Sequence, residues 1–305
     1  MTLAWHPERA IEIVAGTPPG AGLDRTARAL AQSIEAQKRV DVPVNVINMP
    51  GDASRRIWAY LDRFPGDPHV LVVTSPNVTT DYLTGQTAFD HDSYTPLAIL
   101  HNEYLAFVAR ADSPIGDSRQ LVERLADDAG SLTAAVATSA GNPNHIALAS
   151  VTRHAGGNVR ALKVSAFDSA RNAIAAIVAG RCEIGAVSAA SVVPELADGT
   201  LRALAVTAPK RLAAPFELTP TWREQGIDCA IGVWRGIDGA RGLAPEQIRF
   251  WDEVLAAATS GDEWKSALAR HHWSEMHRAS AELRDYLPRE RAEMSALLRE
   301  LGLMP

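Results

Sequence analysis

The sequence predicts an α/β protein built on largely parallel sheets. Short apolar runs alternate with helix-period segments over most of the chain. Runs such as Leu71-Val72-Val73 are continuously apolar, as strands covered on both faces require. At 305 residues the length argues for about two domains. An apolar content of 47% with 22% charged residues is ordinary for a globular chain with a sizeable core.

The first element is a strand at 12–15, followed by Gly16 and the turn Thr17-Pro18-Pro19-Gly20-Ala21-Gly22-Leu23-Asp24, then a helix over 25–37. Such a turn presents backbone N–H groups beside a helix N-terminus, a ready site for a carboxylate or phosphate. The alternative reading is a plain strand-to-helix connection with Asp24 as N-cap. The turn lacks the third glycine of a dinucleotide fingerprint and the Gly-Lys-Ser/Thr of a Walker loop. Further strands are expected at 44–48, 70–74, 97–100, 106–110, 133–137, 160–163, 184–187 and 203–207, with helices over 118–126, 145–154 and 170–179. After Cys229 the character changes. Leu243-Ala244-Pro245-Glu246 opens a helix with Pro in its first turn, and 282–301 reads as another, kinked or split by Pro288.

Several classes are disfavoured. A net charge of −6 without a Lys/Arg block argues against nucleic acid. Cys182 and Cys229 make no metal spacing and read as buried thiols rather than a disulfide. His271, His272 and His277 read as a solvated helix end, so neither metal nor cofactor is expected. No apolar run of membrane-spanning length exists, and the first residues lack the basic start and apolar run of a secretion signal.

Motifs along the chain then converge. The turn Pro18-Pro19-Gly20-Ala21-Gly22-Leu23-Asp24, Val46-Ile47-Asn48-Met49-Pro50-Gly51, Thr74-Ser75-Pro76-Asn77, Tyr94-Thr95-Pro96-Leu97-Ala98 and Val108-Ala109-Arg110-Ala111-Asp112-Ser113-Pro114 follow in order. Next come Gly141-Asn142-Pro143-Asn144-His145-Ile146-Ala147, Gly199-Thr200-Leu201-Arg202-Ala203-Leu204-Ala205-Val206, Gly232-Val233-Trp234-Arg235-Gly236 and Glu300-Leu301-Gly302-Leu303. Together they resemble the solute receptors of tripartite tricarboxylate transporters, the Bug-type receptors, from about Ala10 to Leu303.

The resemblance implies a two-lobed, type II periplasmic-binding-protein fold with a ligand cleft between lobes. Lobe I would be 1–103 plus 225–305, with the C-terminal helices returning onto it, and lobe II would be 104–224. A monomer would capture a small carboxylate, hinge shut, and deliver it to membrane transporter subunits from the periplasm. Leu3-Ala4-Trp5 stands where a mature member begins, whereas a native start at Met1 would make the protein a cytoplasmic carboxylate sensor of the same fold. Carried over by position, the first-lobe ligand contacts would be Thr17, Pro19, Gly20, Ala21, Gly22, Asp24, Ser75 and Asn77. Asp24 would orient water and cap its helix rather than meet a like charge. Second-lobe contacts would be Thr138, Ser139, Asn142, His145, Ser165, Phe167 and Asp168, with Ser188 or Ser191 below.

Two departures stand out. Asp52-Ala53-Ser54-Arg55-Arg56 replaces the glycines usual after Pro50-Gly51, and Ser169-Ala170-Arg171-Asn172 replaces a Gly-rich turn. Arg171 or Arg55 could therefore offer a forked donor to a distal carboxylate; the alternative is a solvent-facing arginine. Ala137-Thr138-Ser139-Ala140-Gly141 has a loose likeness to a hydrolase nucleophile elbow, but the family reading makes the chain a binding protein and not an enzyme.

Overall fold

The computed structural model describes residues 5–304, so the Leu3-Ala4 start lies outside the described residues. The chain forms two compact units. The first comprises the chain up to Tyr82, Thr87–Asn102 and Trp234–Ala292; the second comprises Leu83–Gln86, Glu103–Val233 and the chain from Glu293 onward.

The chain enters the first unit through β1 (Ile11–Ala15), α1 (Gly22–Gln37), β2 (Val44–Asn48), α2 (Arg56–Leu61), β3 (Val70–Thr74) and α3 (Asn77–Leu83). Strand β4 (Thr95–Arg110) leads into the second unit. There follow α4 (Ser118–Asp128), β5 (Thr133–Ala137), α5 (Pro143–His154), β6 (Lys163–Phe167), α6 (Ala170–Val178), β7 (Ile184–Ser188), α7 (Ala189–Ala197) and β8 (Leu201–Val206). The return runs through β9 (Gly232–Gly239), α8 (Pro245–Ser260), α9 (Asp262–Arg270), β10 (Ser274–Ala279) and α10 (Ser280–Glu300).

In the first unit β1 lies parallel between β2 and β3. Antiparallel β9 extends the sheet beside β3, and β10 pairs antiparallel with β4. In the second unit β5 lies parallel between β6 and β7, while β4 pairs antiparallel with both β7 and β8. The sheets are therefore mixed, with parallel cores as expected and antiparallel additions that the alternation did not signal. Period-two alternation along β4 feeds two core layers of the second unit. Leu105, Phe107 and Ala109 pack with Leu121, Leu148 and Trp222 on one face. Ala106 and Val108 pack with Ile174, Ile177 and Phe216 on the other.

Several expectations are corrected. The separate strands at 97–100 and 106–110 are one strand, because the polar stretch between them is buried. His101 stacks on Trp273 at 3.9 Å and meets the Thr26 hydroxyl through Nε2 at 3.0 Å. The strand expected at 160–163 begins at Lys163, since Asn158 caps a 3-10 turn over Val159–Ala161. Pro288 does not split the last helix; it sits inside α10. The second unit runs to Val233, where the second lobe was expected to end at 224. The end of α10 also belongs to it, where Leu298 and Leu301 pack on Ile146 and Ala149 of α5.

His271 and His272 do stand at a helix end, His271 as the C-cap of α9, but both are half-buried and His271 lies 4.6 Å from the Trp273 ring. His277 is not part of it: it sits in β10 with Nδ1 3.0 Å from the Thr259 hydroxyl. Cys182 and Cys229 are free buried thiols. Among the described residues no helix is long and apolar enough to cross a membrane, and no cluster of ligating side chains could hold a metal.

Candidate functional site

The first unit places its predicted residues at the C-terminal ends of β1 and β3. After Ala15 the chain turns through Gly16–Ala21 and enters α1 at Gly22. Gly20 takes φ +81°, in the left-handed region that favours glycine. Gly16 is required by space instead: a Cβ there would lie 2.7 Å from Ser54 Cβ and 2.9 Å from Ser54 O. The N-cap of α1 is Ala21, not Asp24, because the helix starts earlier than its apolar period suggests.

Asp24, third in the helix, reaches back past the N-cap residue Ala21 to the turn itself. Its buried carboxylate accepts the Gly20 N–H at 2.7 Å, Asn48 Nδ2 at 2.8 Å and Arg28 Nε at 3.0 Å. Burial alone would raise its pKa; the hydrogen bonds from Arg28, Gly20 and Asn48 outweigh this and hold it below the ordinary carboxylate value. Asn48 Nδ2 also donates to Thr17 O at 2.9 Å, and Thr17 Oγ1 accepts the Asp24 N–H at 3.3 Å. The whole turn is thus laced to one buried carboxylate. Among the described residues the N–H groups of Gly22 and Leu23 meet no acceptor, as the first turn of a helix leaves them.

Pro19 and Gly20 are exposed at the tip of the turn, and Ser75 is buried where β3 gives way to α3. The Ser75 hydroxyl accepts the Asn77 N–H at 3.4 Å. Asn48, Gly16 and Arg28 were not among the predicted site residues. A signal existed: Asn48 stands opposite Ala15 in parallel register, so its side chain belongs beside the turn.

The Gly51–Ser54 segment explains one departure from the family pattern. Gly51, Asp52, Ala53 and Ser54 all have positive φ, of 112°, 49°, 48° and 73°. The backbone keeps a shape suited to glycine while three side chains occupy it under strain. Arg55 is held between Asp52, at 2.6 Å, and Asp81, at 3.6 Å.

The second unit brings its residues to the C-terminal ends of β5, β6 and β7. Thr138 ends β5 at φ +64°, and its N–H donates to Phe167 O at 2.6 Å. Asn142 caps α5: its Oδ1 accepts the His145 N–H at 3.0 Å, and its Nδ2 donates to Thr138 Oγ1 at 3.0 Å. His145 Nδ1 accepts the Gly141 N–H at 3.0 Å. That bond fixes the ring as the Nε2–H tautomer. Burial pushes the His145 pKa down to about 4, so the side chain is a neutral donor.

Gln86 Nε2 donates to Ala140 O at 2.9 Å, securing the loop that carries Ser139. Ser188, at the end of β7, is the N-cap residue of α7 yet makes no side-chain capping bond.

Other predicted residues are differently engaged. Arg171 is exposed, as the alternative reading expected, and it offers no open fork: it donates to Glu195 Oε1 at 2.6 Å, Oε2 at 3.1 Å and Ser191 O at 2.9 Å. Ser165 hydrogen-bonds the Cys182 thiol. Phe167 lies under Arg181, whose guanidinium sits 5.6 Å from the ring centroid. Asp168 is exposed, beside Ser169, which caps α6.

A family model described as the tripartite tricarboxylate transporter family receptor, TctC, matches residues 27–303. The chain belongs to this family. Solved structures agree in fold. A TctC solute-binding protein from Polaromonas is 26% identical to the receptor, with 97% of this chain and all of that one covered at TM-score 0.69. MatC from Rhodopseudomonas palustris, solved with bound malate, is 20% identical over 96% of this chain and 99% of that one at TM-score 0.83. A second R. palustris protein, solved with adipate, is 18% identical over 98% and 99% at TM-score 0.88. No curated protein matches the receptor. Its α/β architecture is that of periplasmic binding proteins, as the ordered motifs predicted.

Proposed function

We propose that this receptor captures a small carboxylate in the periplasm and hands it, chemically unchanged, to a tripartite tricarboxylate-type membrane transporter. The observation that carries the reading is the first turn of α1. Two N–H groups there lack protein acceptors, on a turn whose geometry is fixed by a buried, fully hydrogen-bonded Asp24. The positive end of a helix attracts an anion locally, which a protein of net charge −6 cannot do through its overall field. The malate and adipate held by two structural relatives support the ligand class.

In the second unit, the neutral Nε2–H of His145 is a donor that adds no charge. The same His145 bond speaks against a hydrolase, since Nδ1 is occupied by the Gly141 N–H and, among the described residues, no carboxylate orients the ring.

Thermal unfolding against a panel of small carboxylates, with their amides as controls, tests the proposal. Ligand at about 100 times its dissociation constant adds about 2.7 kcal/mol. A shift with one acid and none with its amide is expected. No shift with any acid, or equal shifts with acid and amide, refutes the reading.

A further inference from the structure

We propose that the first unit carries a second binding pocket, separate from the α1 turn, that takes a medium-chain aliphatic monocarboxylate between His91 and Arg284. The proposal goes beyond the receptor reading and does not depend on it.

The pocket has a volume of about 300 Å³, at the lower end of the roughly 300–1,000 Å³ usual for small-molecule sites. It opens between the start of β4, α8 and α10, all within the first unit, and its lining includes no residue of the α1 turn. Ile248, Leu283 and Leu287 give it an aliphatic wall. Most of its polar groups are already engaged. Thr95 Oγ1 donates to Ala240 O at 2.6 Å, the Ser280 hydroxyl donates to Asp252 Oδ2 at 2.8 Å, and Tyr94 bonds Asp62. Asp92 accepts from Arg291 at 2.8 Å.

Two groups are left. His91 is 4% exposed, with Nδ1 3.1 Å from Asp238 Oδ2, while its Nε2 is buried with no hydrogen-bond partner among the described residues. Arg284 is exposed and makes no ion pair among the described residues. The bond to Asp238 puts a proton on Nδ1, so Nε2 is either a bare acceptor or the second N–H of an imidazolium. Burial alone would favour the neutral ring. The Asp238 carboxylate, with Glu290 and Asp90 beyond it, outweighs burial and raises the His91 pKa. In the charged form Nε2 is a donor without an acceptor.

The neighbouring acids do not offset this, because each has its own donor: Glu290 Oε1 accepts the Trp234 Nε1–H at 2.6 Å, and Arg291 holds Asp90. A carboxylate that meets both His91 Nε2–H and the Arg284 guanidinium satisfies a buried donor and an unpaired cation together. Its hydrocarbon chain then lies against Ile248, Leu283 and Leu287. An amide or alcohol of the same length leaves the Arg284 charge unanswered.

Nitrogen NMR of the His91 imidazole in the full chain tests this, because it reads the pocket itself and not the α1 turn. Octanoate should move the Nε2 resonance saturably, whereas octanamide and octanol should leave it in place. Arg284→Ala, at an exposed position, should weaken octanoate about tenfold. Ile248→Trp, which fills the apolar end, should abolish the response. A His91 ring that octanoate does not move overturns the proposal, whatever the receptor's response to other acids. Equal responses to octanoate and octanamide, or undiminished octanoate affinity in either variant, overturn it too.

Discussion

Replacing Asp24 by Asn should loosen the turn that the receptor uses to meet its ligand. The carboxylate is 1% exposed and accepts the Gly20 N–H at 2.7 Å, Asn48 Nδ2 at 2.8 Å and the Arg28 guanidinium at 3.0 Å. Asparagine keeps one acceptor oxygen and turns an NH2 group toward donors on the other side. Arg28 is half-exposed, with 51% of its side chain accessible, so its share is screened and counts for little. One internal hydrogen bond to a charged acceptor is lost, and a buried donor is left unsatisfied, which together costs about 2–3 kcal/mol.

In a chain of this size that lowers the unfolding temperature by about 5 °C, measurable by circular dichroism. The sign with pH follows from the depressed pKa. Asp24 contributes in full above its ordinary value of 3.8, and the contribution fades only as pH falls through the lower, folded value. The gap between the parent and Asp24→Asn should therefore be equal at pH 7 and pH 5 and shrink below pH 3.8. A variant within about 0.5 kcal/mol of the parent at pH 7, or a gap already closing between pH 7 and 5, would falsify the reasoning.

Ala53 has φ +48°, and a left-handed alanine costs about 1–2 kcal/mol. Against the roughly 0.5–1 kcal/mol of extra chain entropy that glycine loses, Ala53→Gly should stabilise the receptor by about 0.5–1 kcal/mol. The urea midpoint should rise at unchanged slope, and a lower midpoint counts against strain at this segment. His145 should stay neutral, with its proton on Nε2, down to about pH 4, as nitrogen chemical shifts would report. Because its folded pKa lies below the ordinary 6.5, its contribution is complete above that value. It is lost as pH falls toward 4, by up to about 3 kcal/mol at about 1.36 kcal/mol per decade of proton affinity. A His145 titration midpoint near 6.5 would refute the buried, tautomer-fixed ring.

The sequence by itself determined the parallel cores of the two units. Strands β2, β3 and β5 lie where the short apolar runs placed them, because the burial of a central strand is written into its own residues. It also determined the family, since the motifs mark turns whose shapes depend on local glycines and prolines. It was silent on β10, whose Ser-Glu-Met-His-Arg-Ala run carries no strand period and forms against β4, and on the continuity of β4 through His101 and Glu103, whose polarity is answered by residues far away in the chain. The same holds at the site. Residue types named the Asp24 turn and the Asn142–His145 loop. Tertiary structure alone decided that Ala21 caps α1, that Asn48 holds Asp24, that Glu195 claims Arg171, and that Ser188 Oγ is buried without a hydrogen-bond partner among the described residues. A hydrogen bond's worth depends on which donor folding brings within 3 Å of which acceptor, and separations of 20 or 24 residues, as for Arg28 to Asn48 and Arg171 to Glu195, leave no local trace.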